Sequence, residues 1–239
     1  NYDFAELLSE LLGELNVSHT GGRYYPAGSA EPTASLGLLF DMSYTGKGLK
    51  VAEVIKGGPF DHANLKLKAG DIITKIDGTD ITDEQDVSTL LMGKSGKKTL
   101  VCFENPSLQE PQGKLGSGTG DKNGEAVILP VSKSKMNDLL YDRWVKQREE
   151  DVKKWSNGRL GYVHIKQMND NSFRPLYSDV LGKFNKCDGI VIDTRFNGGG
   201  LMHEDIEVLF SGEKYLTQVI RGRETCDMPS RRWNKPSIM

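Results

Sequence analysis

The spacing of apolar residues divides the chain into two textures. At the amino end Phe4, Leu7, Leu8, Leu11, Leu12 and Leu15 recur every three or four residues with acidic residues opposite, so residues 3–15 are predicted to form an amphipathic helix. Asn16 and Gly21-Gly22 mark its exit, and residues 20–34, rich in Gly, Pro, Ala and Ser, read as a linker. Short β-type runs follow at 36–40, 49–55, 71–77 and 98–103, with a hairpin signal at Asp77-Gly78. A short helix is predicted at 59–65, and helical spacing occupies 83–92. That order satisfies a small, partly open β-barrel with two helices.

Residues 106–125 lack an apolar pattern and read as a mobile loop. After a strand at 126–131 comes a charged helix at 136–155, with Leu140, Trp144, Val145, Val152 and Trp155 available to anchor one side. A strand at 160–165, a helix at 172–184 and a strand at 189–192 then give a β-α-β order, which predicts a right-handed parallel crossover. A helix at 201–210, a strand at 218–223, an irregular polar stretch at 230–236 and the start of one more strand at 235–239 complete the chain.

The totals exclude several classes. A net charge of −2 over 239 residues gives no electrostatic reason to expect nucleic acid as a partner. No run approaches the roughly 18 apolar residues of a membrane span. Cys102, Cys187 and Cys226 are scattered without CxxC spacing, so neither a disulfide framework nor a zinc site follows, and buried thiols are expected at Cys102 and Cys187. His203 and Glu204 are adjacent and point to different faces of a helix, which argues against a metal site. No cofactor and no metal are expected.

The candidate chemistry lies where the apolar strand 189–192 runs into Asp193-Thr-Arg-Phe-Asn-Gly-Gly-Gly200. A strand without alternation fits burial on both faces, as in a parallel sheet. Gly198, Gly199 and Gly200 can leave amide N–H groups uncovered beside the following helix, which would favour an anion or oxyanion. The glycine spacing is neither that of a dinucleotide fold nor that of a P-loop, which also needs a Lys-Ser/Thr pair, so a phosphate site is not expected. From the residues alone the turn is either structural or an oxyanion site.

Taken together, Asp193-Thr-Arg-Phe-Asn-Gly-Gly-Gly200, the preceding Arg159-Leu-Gly-Tyr-Val-His-Ile165 and the helix Tyr141-Asp-Arg-Trp-Val145 resemble the core of the tricorn-type and tail-specific (C-terminal processing) serine peptidases. Leu12-Gly-Glu-Leu-Asn-Val-Ser-His19 resembles the tricorn-type segment that contributes the catalytic histidine. Carried over, His19 is the general base, Ser18 helps to hold its imidazole, and a Gly198 or Gly199 amide holds the oxyanion. Leu36-Gly-Leu-Leu-Phe40, with Pro59, Ala63 and Lys68-Ala-Gly-Asp-Ile-Ile73, resembles a PDZ domain. The resemblance implies that a peptide C-terminus adds as a strand along Leu36, Gly37, Leu38, Leu39 and Phe40, its carboxylate on the Leu36 and Gly37 amides, or else that an occluded groove serves as a lid.

The implied fold class is α/β, a ClpP/crotonase-like peptidase core with an inserted PDZ-like β-barrel domain. Its expected parts are a helical part of the core at 1–32, the PDZ-like domain at 33–105, a loop, strand and linking helix at 106–158, and the α/β core at 159–239. The chain reads as a piece of a longer protein whose nucleophilic serine follows Met239; Ser211 and Ser237 are weak substitutes. The expected partner is a peptide or unfolded protein, with a homo-oligomer left open. A periplasmic or otherwise exported location is favoured, with a cytoplasmic one also open. The alternative function is a non-catalytic PDZ-containing peptide-binding scaffold.

Overall fold

The computed structural model describes residues 1–17, 19–25, 31–62, 64–82, 86–106 and 123–239. Ser18, Ala63 and nearly all of the predicted loop at 106–125 lie outside them. Two compact units result, Asn1–Leu139 and Leu140–Met239.

The first unit opens with α1 (Tyr2–Gly13), capped by the Asn1 side chain, which accepts the Phe4 amide at 3.0 Å. No residue of α1 is buried. An antiparallel sheet follows in the order β1-β2-β3-β5-β6: β1 (Leu38–Phe40), β2 (Leu49–Val54), β3 (Ile72–Ile76), β5 (Thr99–Glu104) and β6 (Asn123–Ile128), with β4 (Thr79–Asp80) paired to β3. Asp77 and Gly78, at φ 47° and 81°, make the two-residue hairpin turn that their sequence predicted. Alternate residues of β5 face inward, so Val101 and Phe103 meet Ile73, Ile76, Val51 and Phe60 in one core. Each fully buried side chain of this kind contributes about 1.5–3 kcal/mol.

Two expected helices differ. Residues 59 and 60 form a turn and residue 62 a bend, with the Asp61 carboxylate accepting the Gly57 amide at 2.7 Å. Of residues 83–92, only α2 (Val87–Leu90) is helical among the described residues, its start capped by Asp86.

Helix α3 (Lys133–Trp155) passes from the first unit into the second. Met136 and Leu139 are buried, whereas Trp155, expected to anchor it, is exposed. In the second unit β7 (Leu160–His164), β8 (Gly189–Asp193) and β11 (Ser237–Ile238) form a parallel sheet with β8 at its centre. Between β7 and β8, α4 (Asp170–Ser178) runs into a π-helical turn, Asp179–Lys183. Phe184 approaches Gly161 so closely that a Cβ there would lie 2.7 Å from its ring, which binds this crossover to β7.

After β8 come α5 (His203–Ser211) and a hairpin of β9 (Leu216–Ile220) and β10 (Arg223–Met228). The sequence reading missed β10 because its turn, Arg221-Gly222, lacks the Asn-Gly or Asp-Gly signal, although both residues adopt positive φ. The second core gathers Val163, Ile165, Leu176, Val180, Ile190, Ile192, Leu209 and Trp233. All three cysteines are free and half-buried rather than buried.

Candidate functional site

The apolar strand β8 ends on Asp193, a buried carboxylate that needs partners. Tyr162 of β7 donates its hydroxyl to it at 2.8 Å. The Arg195 amide donates at 3.0 Å, and the Arg195 guanidinium closes a fork with Nε at 3.0 Å and Nη2 at 2.5 Å. The Arg195 side chain beside it holds the Asp193 carboxyl well below the usual carboxylate range. Burial, and then the hydrogen bond to Asp193, push the Tyr162 phenol up.

The turn itself is largely tied down. The Gly198 amide donates to the Lys166 carbonyl at 2.9 Å, and the Gly199 amide to Asn197 Oδ1 at 2.7 Å. Asn197 Nδ2 in turn donates to the Ile165 carbonyl at 2.7 Å. The Leu201 and Met202 amides both reach the Met168 carbonyl, at 3.0 and 3.2 Å. The expectation of bare amides at Gly198 and Gly199 is therefore corrected, because the Lys166 carbonyl takes the first and the Asn197 side chain the second, which glycine spacing does not reveal. Among the described residues the Gly200 amide donates no hydrogen bond; Gly200 pairs with Met168 in a parallel bridge and is exposed.

Beside the turn lies a cavity of about 640 Å³. Apolar Ile165, Ile192 and Phe210 line it, together with the polar groups of Thr194, Asn197 and His203. Ser211 and Ser237 also reach it, but the Ser211 hydroxyl donates to the Glu207 carbonyl at 2.8 Å and Ser237 sits on β11.

His19 belongs to the first unit, exposed in the loop after α1 at φ 66°. That loop is anchored by Ser9, whose hydroxyl donates to the Gly22 carbonyl at 2.8 Å and accepts the Gly22 amide at 2.7 Å. Its expected neighbour Ser18 is outside the described residues.

The expected peptide groove follows β1, which pairs with β2 through Leu38↔Val54 and Leu39↔Glu53. Its other edge is unpaired among the described residues. Leu36 and Leu38 are buried while Leu39 and Phe40 are half-buried. Gly37 takes φ 72°, and its amide reaches the Ser35 hydroxyl at 3.2 Å; the Leu36 amide donates to none of the described residues.

A cluster that the sequence reading did not assemble joins Tyr141 and Trp144 of α3 to His164 and Phe196. The Tyr141 hydroxyl and His164 Nδ1 are 2.8 Å apart, and the Trp144 and His164 rings meet edge-on at 5.0 Å. Burial pushes the Tyr141 phenol up to about 12, with the charges of Asp142 and Asp193 adding to it. The three-residue spacing of Tyr141 and Trp144 was the available signal, since it puts both on one helix face.

These parts have counterparts in known proteins. Residues 34–102 match the PDZ domain and residues 159–239 match peptidase family S41. The chain thus joins a PDZ domain to an S41 peptidase segment. It is 28% identical over 211 residues to the "Tricorn protease homolog" of Saccharolobus solfataricus, covering 84% of this chain and 18% of that protein. It is 28% identical over 202 residues to the "Carboxy-terminal-processing protease" of Bartonella bacilliformis, covering 80% of this chain and 40% of that one. The crystal structure of the tricorn protease superposes with a TM-score of 0.71 at 21% identity, over 99% of this chain and 22% of that one, a likeness of fold. The chain spans about a fifth of the length of such tricorn relatives, as the 18% and 22% coverages of two of them show.

Proposed function

We propose that the protein is a serine-type peptidase of tricorn-like or C-terminal processing kind, acting on peptides or protein C-terminal tails. The observation that carries this reading is the parallel strand β8 ending in a glycine turn whose Thr194 and Asn197 line the cavity of about 640 Å³. In this reading a turn amide stabilises the oxyanion, with Gly200 the member of the triplet free to do so. His19 is the general base and Ser18 its neighbour, and the nucleophilic serine comes from sequence after Met239. The unpaired edge of β1 supports peptide addition along Leu36–Phe40, with the terminal carboxylate on the Leu36 and Gly37 amides in this reading.

The finer architecture belongs to the same proposal: a crotonase-like core, with residues 1–32 as its first helical part and a PDZ-like barrel inserted after them. The exposed stripe of Phe4, Leu7 and Leu11 on α1 supports it, since such a stripe needs a core to cover it. A homo-oligomer remains compatible with the reading.

The test is peptide hydrolysis by the full parent protein with and without His19→Ala. A triad acts as a unit, so turnover should fall by about 10³-fold or more with peptide binding retained. Unchanged turnover in the variant overturns the tricorn-type mechanism and leaves a Ser-Lys dyad. A second reading, a peptide-binding scaffold without catalysis, is favoured by the internal bonding of the Gly198 and Gly199 amides. It predicts no hydrolysis by the parent and no labelling of a serine by a fluorophosphonate.

A further inference from the structure

On the other side of the same turn, within the Leu140–Met239 unit, a second cavity of about 310 Å³ is lined by Tyr141, Trp144, His164, Lys166 and Phe196. Neighbouring residues face different cavities: Asn197 lines the larger one and Phe196 this one. The volume lies at the low end of ligand pockets, roughly 300–1,000 Å³, and suits one bulky side chain better than a cofactor.

Its walls are held rigidly. Tyr141 and Trp144 meet the His164 ring edge-on at 5.4 and 5.0 Å, and His164 is held at both nitrogens, by the Tyr141 hydroxyl and the Arg195 carbonyl. Phe196 stands apart from this order. It is 88% exposed and takes φ 60°, a conformation unfavourable for a bulky residue, while meeting Trp144 edge-on at 6.3 Å. An aromatic ring kept in water by an unfavourable backbone conformation has surface to spare for a partner.

Four aromatic rings suggest an alkylated ammonium first, but the ring faces already carry cations. Lys166 Nζ lies 4.4 Å from the Tyr141 centroid, and the Arg195 and Arg148 guanidinium carbons lie 5.2 and 5.9 Å from that of Trp144. Arg195 and Arg148 are themselves paired with Asp193 and Asp151, but with Lys166 they already occupy ring faces that a further cation would need, whereas a neutral ring meets apolar walls and edges. We propose that this cavity is a substrate subsite that takes one neutral aromatic side chain of the peptide held at the Asp193–Gly200 turn. The proposal rests on the reading of that turn as the place where a peptide is held.

The test titrates the chain with pentapeptides blocked at both ends, so that a groove for free carboxylates contributes nothing. Their central residue is phenylalanine, alanine or lysine, and the readout is the Trp144 indole N–H and the Phe196 amide by NMR. The phenylalanine peptide should shift both signals and bind about tenfold or more tighter than the alanine peptide, with the lysine peptide no better than alanine. Phe196→Ala, at an exposed position outside the core, should reduce that advantage to about twofold or less, and Phe196→Tyr should keep it. Equal binding of the phenylalanine and alanine peptides, preference for lysine, or unshifted signals overturns the subsite. Hydrolysis by the parent is scored separately. Cleavage without aromatic selectivity refutes the subsite and keeps the peptidase, whereas aromatic-selective binding without cleavage keeps the subsite and refutes the peptidase.

Discussion

The imidazole Nε2 of His164, at the end of β7, lies 2.7 Å from the backbone oxygen of Arg195 in the turn after β8. A carbonyl oxygen only accepts, so Nε2 carries the proton and Nδ1 accepts from the Tyr141 hydroxyl at 2.8 Å. Nitrogen-15 NMR of the neutral ring should report the Nε2–H tautomer, in the parent chain and in Tyr141→Phe alike. A predominant Nδ1–H tautomer would contradict this geometry. His164→Ala should lower stability by about 1–2 kcal/mol in urea unfolding, since it leaves two polar groups without their partner.

Asp193 offers a pH test. Its carboxyl is held low by Arg195, so its contribution to stability is present above the ordinary carboxylate value of about 4 and is lost as pH falls below that. Asp193→Asn should cost about 2 kcal/mol at neutral pH, through weaker bonds from Tyr162 and the Arg195 amide. The Arg195 side chain is largely exposed, so its ion pair adds little after screening. The difference between the two proteins should shrink in acid; a constant difference across the range would refute the assignment.

Tyr141 gives the alkaline counterpart. With its phenol raised to about 12, the stability it contributes is present below the ordinary phenol value of about 10 and lost as pH rises through about 12. Ultraviolet titration of the eight tyrosines should show a late-ionising fraction that diminishes in Tyr141→Phe and again when Tyr162→Phe is added. An unchanged curve in both variants counts against the burial described.

The three glycines of the turn should not respond alike. Gly199 takes φ 82°, and no atom lies within 4 Å of the place an added methyl would occupy, so Gly199→Ala should cost only the backbone term of about 1–2 kcal/mol. Gly200 takes φ 141°, and a Cβ there collides with the Met168 carbonyl, so Gly200→Ala should cost severalfold more. Thermal unfolding of the two variants checks the order. Equal losses would mean that the bridge between Met168 and Gly200 is not formed.

Much of this was legible in the chain by itself. Period-two and period-3.6 spacing is local, so α1, β2, β3, β5, α3 and the β7-α4-β8 crossover emerged from residues a few positions apart. The motifs around His19, Leu36–Phe40 and Asp193–Gly200 were likewise contiguous, and the PDZ and S41 matches fall on two of those regions. What tertiary structure alone decided is where each polar group finds its partner. Whether Gly198 and Gly199 present bare amides depends on Lys166 and Asn197, and the aromatic cavity draws Tyr141, His164 and Phe196 from three separate stretches. A buried donor must be satisfied by whichever acceptor the fold brings within about 3 Å. The Gly199 amide finds Asn197 close by in sequence, whereas the Gly198 amide finds Lys166 through long-range pairing, such as Met168 against Gly200, which no local period encodes.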